Sequence, residues 1–448
     1  MNKENLAIIN QNLDSPKQPY FTSNGVVFSN ITFEGDGSIY LSSGILPRSF
    51  SVDNSEFEGQ IKLNGSTTGN VIFSNCVFHQ DVTIQNGDST GKIELIDCVF
   101  NKDLTLKGKQ LSALNIQSKI SGFLNIQAGK FDRLEIGGGV KEKQYSINRL
   151  KIDFSNSTGI FFIHNLHLDN LKLVGKISKD SDVSIENSCL LSVRISDLSN
   201  DGKLRFLNLL WNDSLKKVTF RSFHCYQSNL GKTEFYNFDF NCFEKVEFIQ
   251  SVLIECVFVN IVWPRHYYKP NLKLREWQLI ELRDELRQLK YVLSKQGDSV
   301  REHEFHAFEM RTHLLLSCHR LSNLKGKSAN RAYSWWQNLQ NWVVLFLSWL
   351  SSNFGLSWLR PIFFMLVVNF SLIYLGLYGF SFQSLIHVFN FQSSLDFDAV
   401  GKFLYYCSPF RRFDNSITGK ASIFDIAIRI VSSYGIYNFI RATRRYVK

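Results

Sequence analysis

Asp425 and Arg429 lie four residues apart in the otherwise apolar segment 421–440, with Ser432 and Ser433 one turn further on. On an α-helix these four side chains fall along one face. Charge at bilayer depth is costly unless it is paired or turned toward protein or water. Three roles are therefore open to the stripe: lining a pore, locking onto another helix, or marking a helix that lies at the interface without crossing. A second cluster, His303, His306, Glu309 and His313, shares one face of another helix. It can be drawn as a metal site, but it has no HExxH pattern, and solvated or hairpin-facing histidines are commoner. The acids Asp81, Asp88 and Asp103 are scattered, with no carboxylate pair for acid–base work on a sugar. No catalytic residue, metal or other cofactor is expected.

The elements that position these residues divide into two unlike parts. The 448 residues carry a net charge of +10. Before Trp263 there are 26 Lys+Arg against 28 Asp+Glu, and from Trp263 onward 24 against 12. Basic excess confined to one end points to nucleic acid or an anionic membrane surface. Because the same end holds the longest uncharged run, the bilayer is the expected partner and nucleic acid is not. Residues 1–19 are polar and lack the apolar core of a signal peptide. The eight cysteines show no CxxC and no close, even framework, which fits a reducing compartment.

The first 262 residues repeat. Four segments end in Phe33, Phe57, Phe78 and Phe100, which are 24, 21 and 22 residues apart. A period in the low twenties marks a solenoid. Within each segment apolar and polar residues alternate, as on a strand. A polar residue (Asn30, Asn54, Asn75, Asp97) precedes the last short strand, where its side chain can bond backbone at a corner. Cys76 and Cys98 occupy equivalent places and read as small buried side chains. In-out-in triplets continue the pattern at Leu114-Asn115-Ile116, Leu124-Asn125-Ile126, Leu134-Glu135-Ile136, Leu171-Lys172-Leu173, Val193-Arg194-Ile195 and Val218-Thr219-Phe220. The expected fold is an all-β solenoid, a right-handed β-helix with coils of about 20–24 residues and roughly ten to twelve rungs. Residues 1–20 would cap it and 21–262 would form it.

Past Trp263-Pro264, leucines 272, 279, 282, 286, 289 and 293 follow heptad spacing with one place lost near Arg275. Gly297 sits in a turn, and Ser299 with Glu302 reads as a capping box for a second helix bearing Phe305, Phe308, Thr312 and Leu315. An antiparallel helical hairpin over 263–325 is the economical reading, with a coiled coil between subunits as the alternative.

Residues 326–358 form a tryptophan-rich segment. Trp335, Trp336, Trp342, Trp349 and Trp358 suit the headgroup region of a bilayer, and Arg360, Arg441, Arg444 and Arg445 suit its charged surface. Residues 359–448 read as a membrane domain with helices at 361–380 and 421–440. The first is uncharged and about 20 residues long, enough for a hydrocarbon core near 30 Å. Bases flank both helices outside the stretch 381–400, which places the β-helix and the C-terminus in the cytoplasm, at a cell inner membrane.

From residue 270 onward the chain resembles bacterial proteins with pentapeptide-type or β-helical repeats and a two-helix, ion-channel-like membrane tail. The resemblance rests, in order, on Leu289-Lys290, Gln296-Gly297-Asp298, Phe305-His306-Ala307-Phe308-Glu309-Met310, Arg360-Pro361, the run 403–410 and Tyr434-Gly435-Ile436-Tyr437. It implies membrane location and homo-oligomerisation. Residues 381–420 hold no TxGYG-like filter, so potassium selectivity is not implied. The expected function is non-enzymatic: a cytosolic β-helix docks or senses an unknown protein partner, and the tail forms an oligomeric channel-like or membrane-perturbing module. A tethered scaffold without a pore is the alternative, and a carbohydrate enzyme a distant third.

Overall fold

The computed structural model describes residues 20–378, 401–410 and 420–444, apart from short internal stretches of which 210–220 is the longest. The expected cap, save Tyr20, and the triplet at Val218 lie outside the described residues. The chain divides into two units, Met1–Lys269 and Pro270–Lys448.

The first unit is a parallel β-solenoid of about 8 turns. Alternation puts one side of every strand inward. Leu124, Leu150, Leu171, Val193, Phe223 and Val246 lie in register along one ladder, while Ile136, Ile163, Ile185, Phe206, Phe235 and Phe258 run along another. The turn count is lower than the triplets suggest, because successive triplets belong to different faces. Ile93 pairs with Leu114, whereas Leu124 pairs with Leu150. Triplets ten residues apart therefore share a coil and do not each add a rung. At the start, Tyr20–Thr22 pairs antiparallel with Gly25–Ser29 and covers the opening edge.

The closing phenylalanines form a stack. Phe57, Phe78 and Phe100 lie ring on ring at 4.6 Å, each nearly parallel to the next. Such ladders add specific geometry to area burial. The far end is also aromatic, with Trp263 buried and stacked on Phe240 at 5.6 Å.

The polar corner residues have a sharper role than side-chain hydrogen bonding. Asn54, Asn75, Asp97, Asn165, Asn187, Asn208, Asn237 and Asn260 all take positive φ near 50°. Asn and Asp tolerate this left-handed region better than other residues with a Cβ. Each turn then passes its amide to the next coil, as Asn75 N donates to Ile96 O at 3.0 Å and Asn187 N to Leu207 O at 3.1 Å. Asn237 and Asn260 add a side-chain ladder, Nδ2 of each donating to Oδ1 of Asn208 and Asn237 at 2.6 and 2.8 Å. The following residue is small and polar. Ser55, Cys76, Cys98 and Ser188 are buried and bond backbone carbonyls inside the coil. The hydrogen bond with Cys76, and then burial, push the Cys98 thiol well above its ordinary range, so it is inert packing.

The second unit is helical. Among the described residues its long helices are α1 (Glu276–Lys295), α2 (Ser299–Asn323), α3 (Ala329–Ser352), α4 (Leu359–Tyr378) and α5 (Lys420–Arg444). Helices α1 and α2 pack on each other within the chain as an antiparallel hairpin. Leu279, Leu286, Leu289 and Leu293 of α1 and Phe305, Phe308, Thr312 and Leu316 of α2 are buried. Arg320 Nε meets Glu276 Oε1 at 3.0 Å at one end, and Gly297, at φ +78°, makes the turn at the other. The cap expected at Ser299 falls to Asp298, whose Oδ1 accepts from Arg301 N at 3.0 Å. The helix begins one residue earlier than a Ser299 cap requires, so the Asp298 carboxylate stands where the first free amides need an acceptor.

Candidate functional site

Helix α5 is inside out relative to a soluble helix. Its buried face holds Asp425, Ile428, Ser432, Asn438 and Ala442, while Ile423, Ile426, Ile430, Tyr437 and Ile440 are exposed. With Gly435 buried and Ser433 exposed, both sets recur at three- and four-residue spacing, so each is one stripe. Helix α4, which packs on α5, repeats the arrangement, with Asn369 fully buried and Phe363, Val367 and Phe370 exposed. Helix α3 buries Ser351 and Ser352 and exposes Val343, Val344, Leu347 and Leu350.

The buried polar groups meet one another. Arg429 Nε and Asp425 Oδ2 are 3.0 Å apart along one side of α5. One turn on, Asn369 Nδ2 donates to Ser432 Oγ at 2.8 Å. Ser351 Oγ donates to the Tyr434 hydroxyl at 3.2 Å, joining α3 to the same helix. Gly435 lies under Met365, whose Cβ would sit 3.0 Å from an added methyl, so only a bare backbone lets the helices come this close. Ser433, at the edge of the expected stripe, is exposed. The stripe thus divides, with Asp425, Arg429 and Ser432 facing the helix interface and Ser433 facing out. Asn369 is the partner that sequence reasoning missed; its signal was a lone amide inside the uncharged run 361–380.

The expected surface anchors are spread over α3, α4 and α5. Trp335, Trp336, Trp349 and Trp358 are exposed, and Trp342 is half-buried on Phe346 with its Nε1 at 3.0 Å from Cys318 Sγ. Arg360 and Arg444 are exposed, and Arg441 is half-buried. Arg445 lies outside the described residues.

Among the described residues one helix, Ser422–Arg444, is long and apolar enough to cross a membrane. The span expected at 361–380 forms helix α4, Leu359–Tyr378, whose described apolar stretch is Leu359–Ile373. Charge weighed against 421–440 in the sequence reading, yet Asp425 and Arg429 neutralise each other within it.

The histidine cluster does not converge. Glu309 is buried and committed to α1, with Oε1 at 2.9 Å from Arg287 Nε and Oε2 at 2.6 Å from Lys290 Nζ. Burial alone would raise its pKa; the hydrogen bonds from Lys290 and Arg287 outweigh it and hold the carboxyl below its ordinary value. His306 Nε2 faces Arg441 Nη2 of α5 at 2.9 Å. Burial first, then Arg441 and Lys290, push the imidazole down to about 4, so it is neutral and accepts from the guanidinium. No group of three or more metal-ligating side chains occurs among the described residues.

The helical unit therefore offers a seam of paired polar groups inside a layer whose outer surface is apolar. Such a seam joins helices. A scan against protein-family models, a search of curated proteins and a search of solved structures each return no match, so the seam and the solenoid carry the functional reading.

Proposed function

We propose that this protein is a membrane-seated docking protein, in which α4 and α5 hold the chain in the bilayer and the solenoid recognises a partner in the cytoplasm. The observation that carries the reading is the inverted burial of α5, where isoleucines face out and Asp425, Ser432 and Asn438 face in. In water that arrangement exposes a large apolar patch for no gain. In lipid it satisfies both solvents, because polar groups are paired between helices and the apolar side chains meet acyl chains. The exposed tryptophans of α3 and the clustered bases agree with an inner-membrane seat and a cytoplasmic solenoid. Flotation of the full-length protein with liposomes tests it. Co-flotation that resists alkaline carbonate is expected, and a chain that stays dispersed at the bottom without detergent overturns the reading.

A second reading makes the tail an oligomeric pore, in line with the resemblance to repeat proteins with channel-like tails. What favours it is Ser433, exposed one turn beyond the retained Asp425–Arg429 charge pair. The internal pairing of the seam favours the anchor. Asp425→Asn leaves insertion intact in both cases, and it alters single-channel conductance only if the pore reading holds.

A further inference from the structure

The solenoid carries on one face a groove of about 610 Å³, a size that suits a small-molecule ligand. Its wall is built by register. Arg149, Asn170, Ser192 and Ser222 lie side by side on successive strands, and Lys172, Arg194 and His224 form the next outward row. Outward side chains of adjacent strands stand about 4.8 Å apart, so the cations form one compact patch.

The lining contains no carboxylate. Among the described residues, the side chains of Arg149 and Lys172 have neither a hydrogen bond nor an ion pair. Arg194 stands over the Tyr226 ring, 5.6 Å from its centre, which orients the guanidinium without neutralising it. The nearest acid in the row, Glu247, is occupied by His224 Nδ1 at 3.1 Å and Lys245 Nζ at 2.7 Å. Three cations thus repel one another in one concave site. Beside them, the Ser192 and Ser222 hydroxyls, 3.1 Å apart, offer neutral donors.

The geometry points to a binding site for a phosphorylated small molecule of nucleotide size or less, with Arg149, Lys172 and Arg194 holding its phosphate groups. One carboxylate cannot balance three cations, whereas a phosphate ester brings close to two negative charges and three acceptor oxygens in a compact group. Guanidinium forks match those oxygens two at a time, and the lysine adds a point charge between them. A long polyanion fits less well, because the positive row, which Lys151 extends by one rung outside the groove, ends at Glu247 on one side and at the uncharged Asn125 on the other. The site names a ligand for the solenoid and rests on the proposal that the solenoid is the recognising part.

Titration calorimetry on the full-length protein in detergent tests it, with pyrophosphate, ADP, inorganic phosphate and adenosine as probes. Pyrophosphate or ADP should bind with an affinity that falls as salt rises, and adenosine should not bind. Arg194→Gln and Lys172→Gln should each weaken binding by about tenfold, the worth of one charge-assisted contact, with unchanged thermal unfolding. Tighter binding of ADP than of pyrophosphate assigns a nucleotide, and equal binding assigns the phosphate groups alone; both support the site. The proposal is overturned if neither probe binds at about 1 mM, or if the triple variant R149Q/K172Q/R194Q binds as the wild type does. Liposome flotation of the same preparation reports separately on the membrane seat.

Discussion

Asn369 of α4 and Ser432 of α5 are both fully buried and share one hydrogen bond of 2.8 Å, which ties the two helices at their polar seam. The oxygen of that amide, Asn369 Oδ1, has no partner among the described residues. Ser432→Ala removes the remaining bond and should cost about 1–2 kcal/mol, while the pair Asn369→Leu with Ser432→Ala should cost less than the two single changes summed. Thermal unfolding in detergent across the double-mutant cycle measures the coupling. A coupling of zero would show that the bond does not hold the helices together.

Glu309 binds Arg287 and Lys290 across the hairpin, and its own side chain is 4% exposed whereas that of Arg287 is 55% exposed. Glu309→Ala strands a half-buried lysine and should destabilise the hairpin by about 3 kcal/mol or more. Arg287→Ala should cost less than about 1 kcal/mol, because water already screens that partner. Chemical denaturation followed by helical circular dichroism separates the two.

His306 accepts from Arg441 and is held neutral by burial, with Arg441, Lys290 and His303 opposing a proton and Glu309 favouring one. Its folded pKa, about 4, lies below its ordinary value of 6.5. Unfolding therefore takes up a proton below pH 6.5, so stability should fall as pH drops from 6.5 toward 4 and then level off. His306→Gln keeps an acceptor and removes the titration. A melting temperature that follows the same acid slope in that variant would assign the effect to other groups.

Asn75 takes φ +54° at a coil corner. Asn75→Gly should be nearly neutral, while Asn75→Val should cost about 1–2 kcal/mol, because a β-branched residue is strained in the left-handed region. Urea unfolding of the full chain, read at the β-sheet signal, ranks the three residues.

Phe78 is sandwiched between Phe57 and Phe100 at 4.6 Å on each side. Phe78→Ala opens a cavity that rigid neighbours above and below cannot fill, and it should cost about 3–5 kcal/mol. Phe78→Leu should recover more than half of that loss. Both are read from denaturant midpoints.

The sequence by itself determined the solenoid, because each coil must present the same inward face, and that demand writes a period of 21–24 residues into Phe33, Phe57, Phe78 and Phe100. It also determined the hairpin, since heptad spacing and a turn at Gly297 leave two amphipathic helices little other choice. The tertiary structure alone decided the number of turns, because an in-out-in triplet looks the same on either face of a coil. It alone decided that Asp425, Arg429 and Ser432 turn inward while Ser433 does not. Helical periodicity defines a stripe, but the direction it faces depends on the partner, here Asn369, more than sixty residues earlier. The basic groove was hidden for the same reason. Arg149, Lys172 and Arg194 stand 23 and 22 residues apart in the chain, and only parallel stacking brings their charges onto neighbouring rungs.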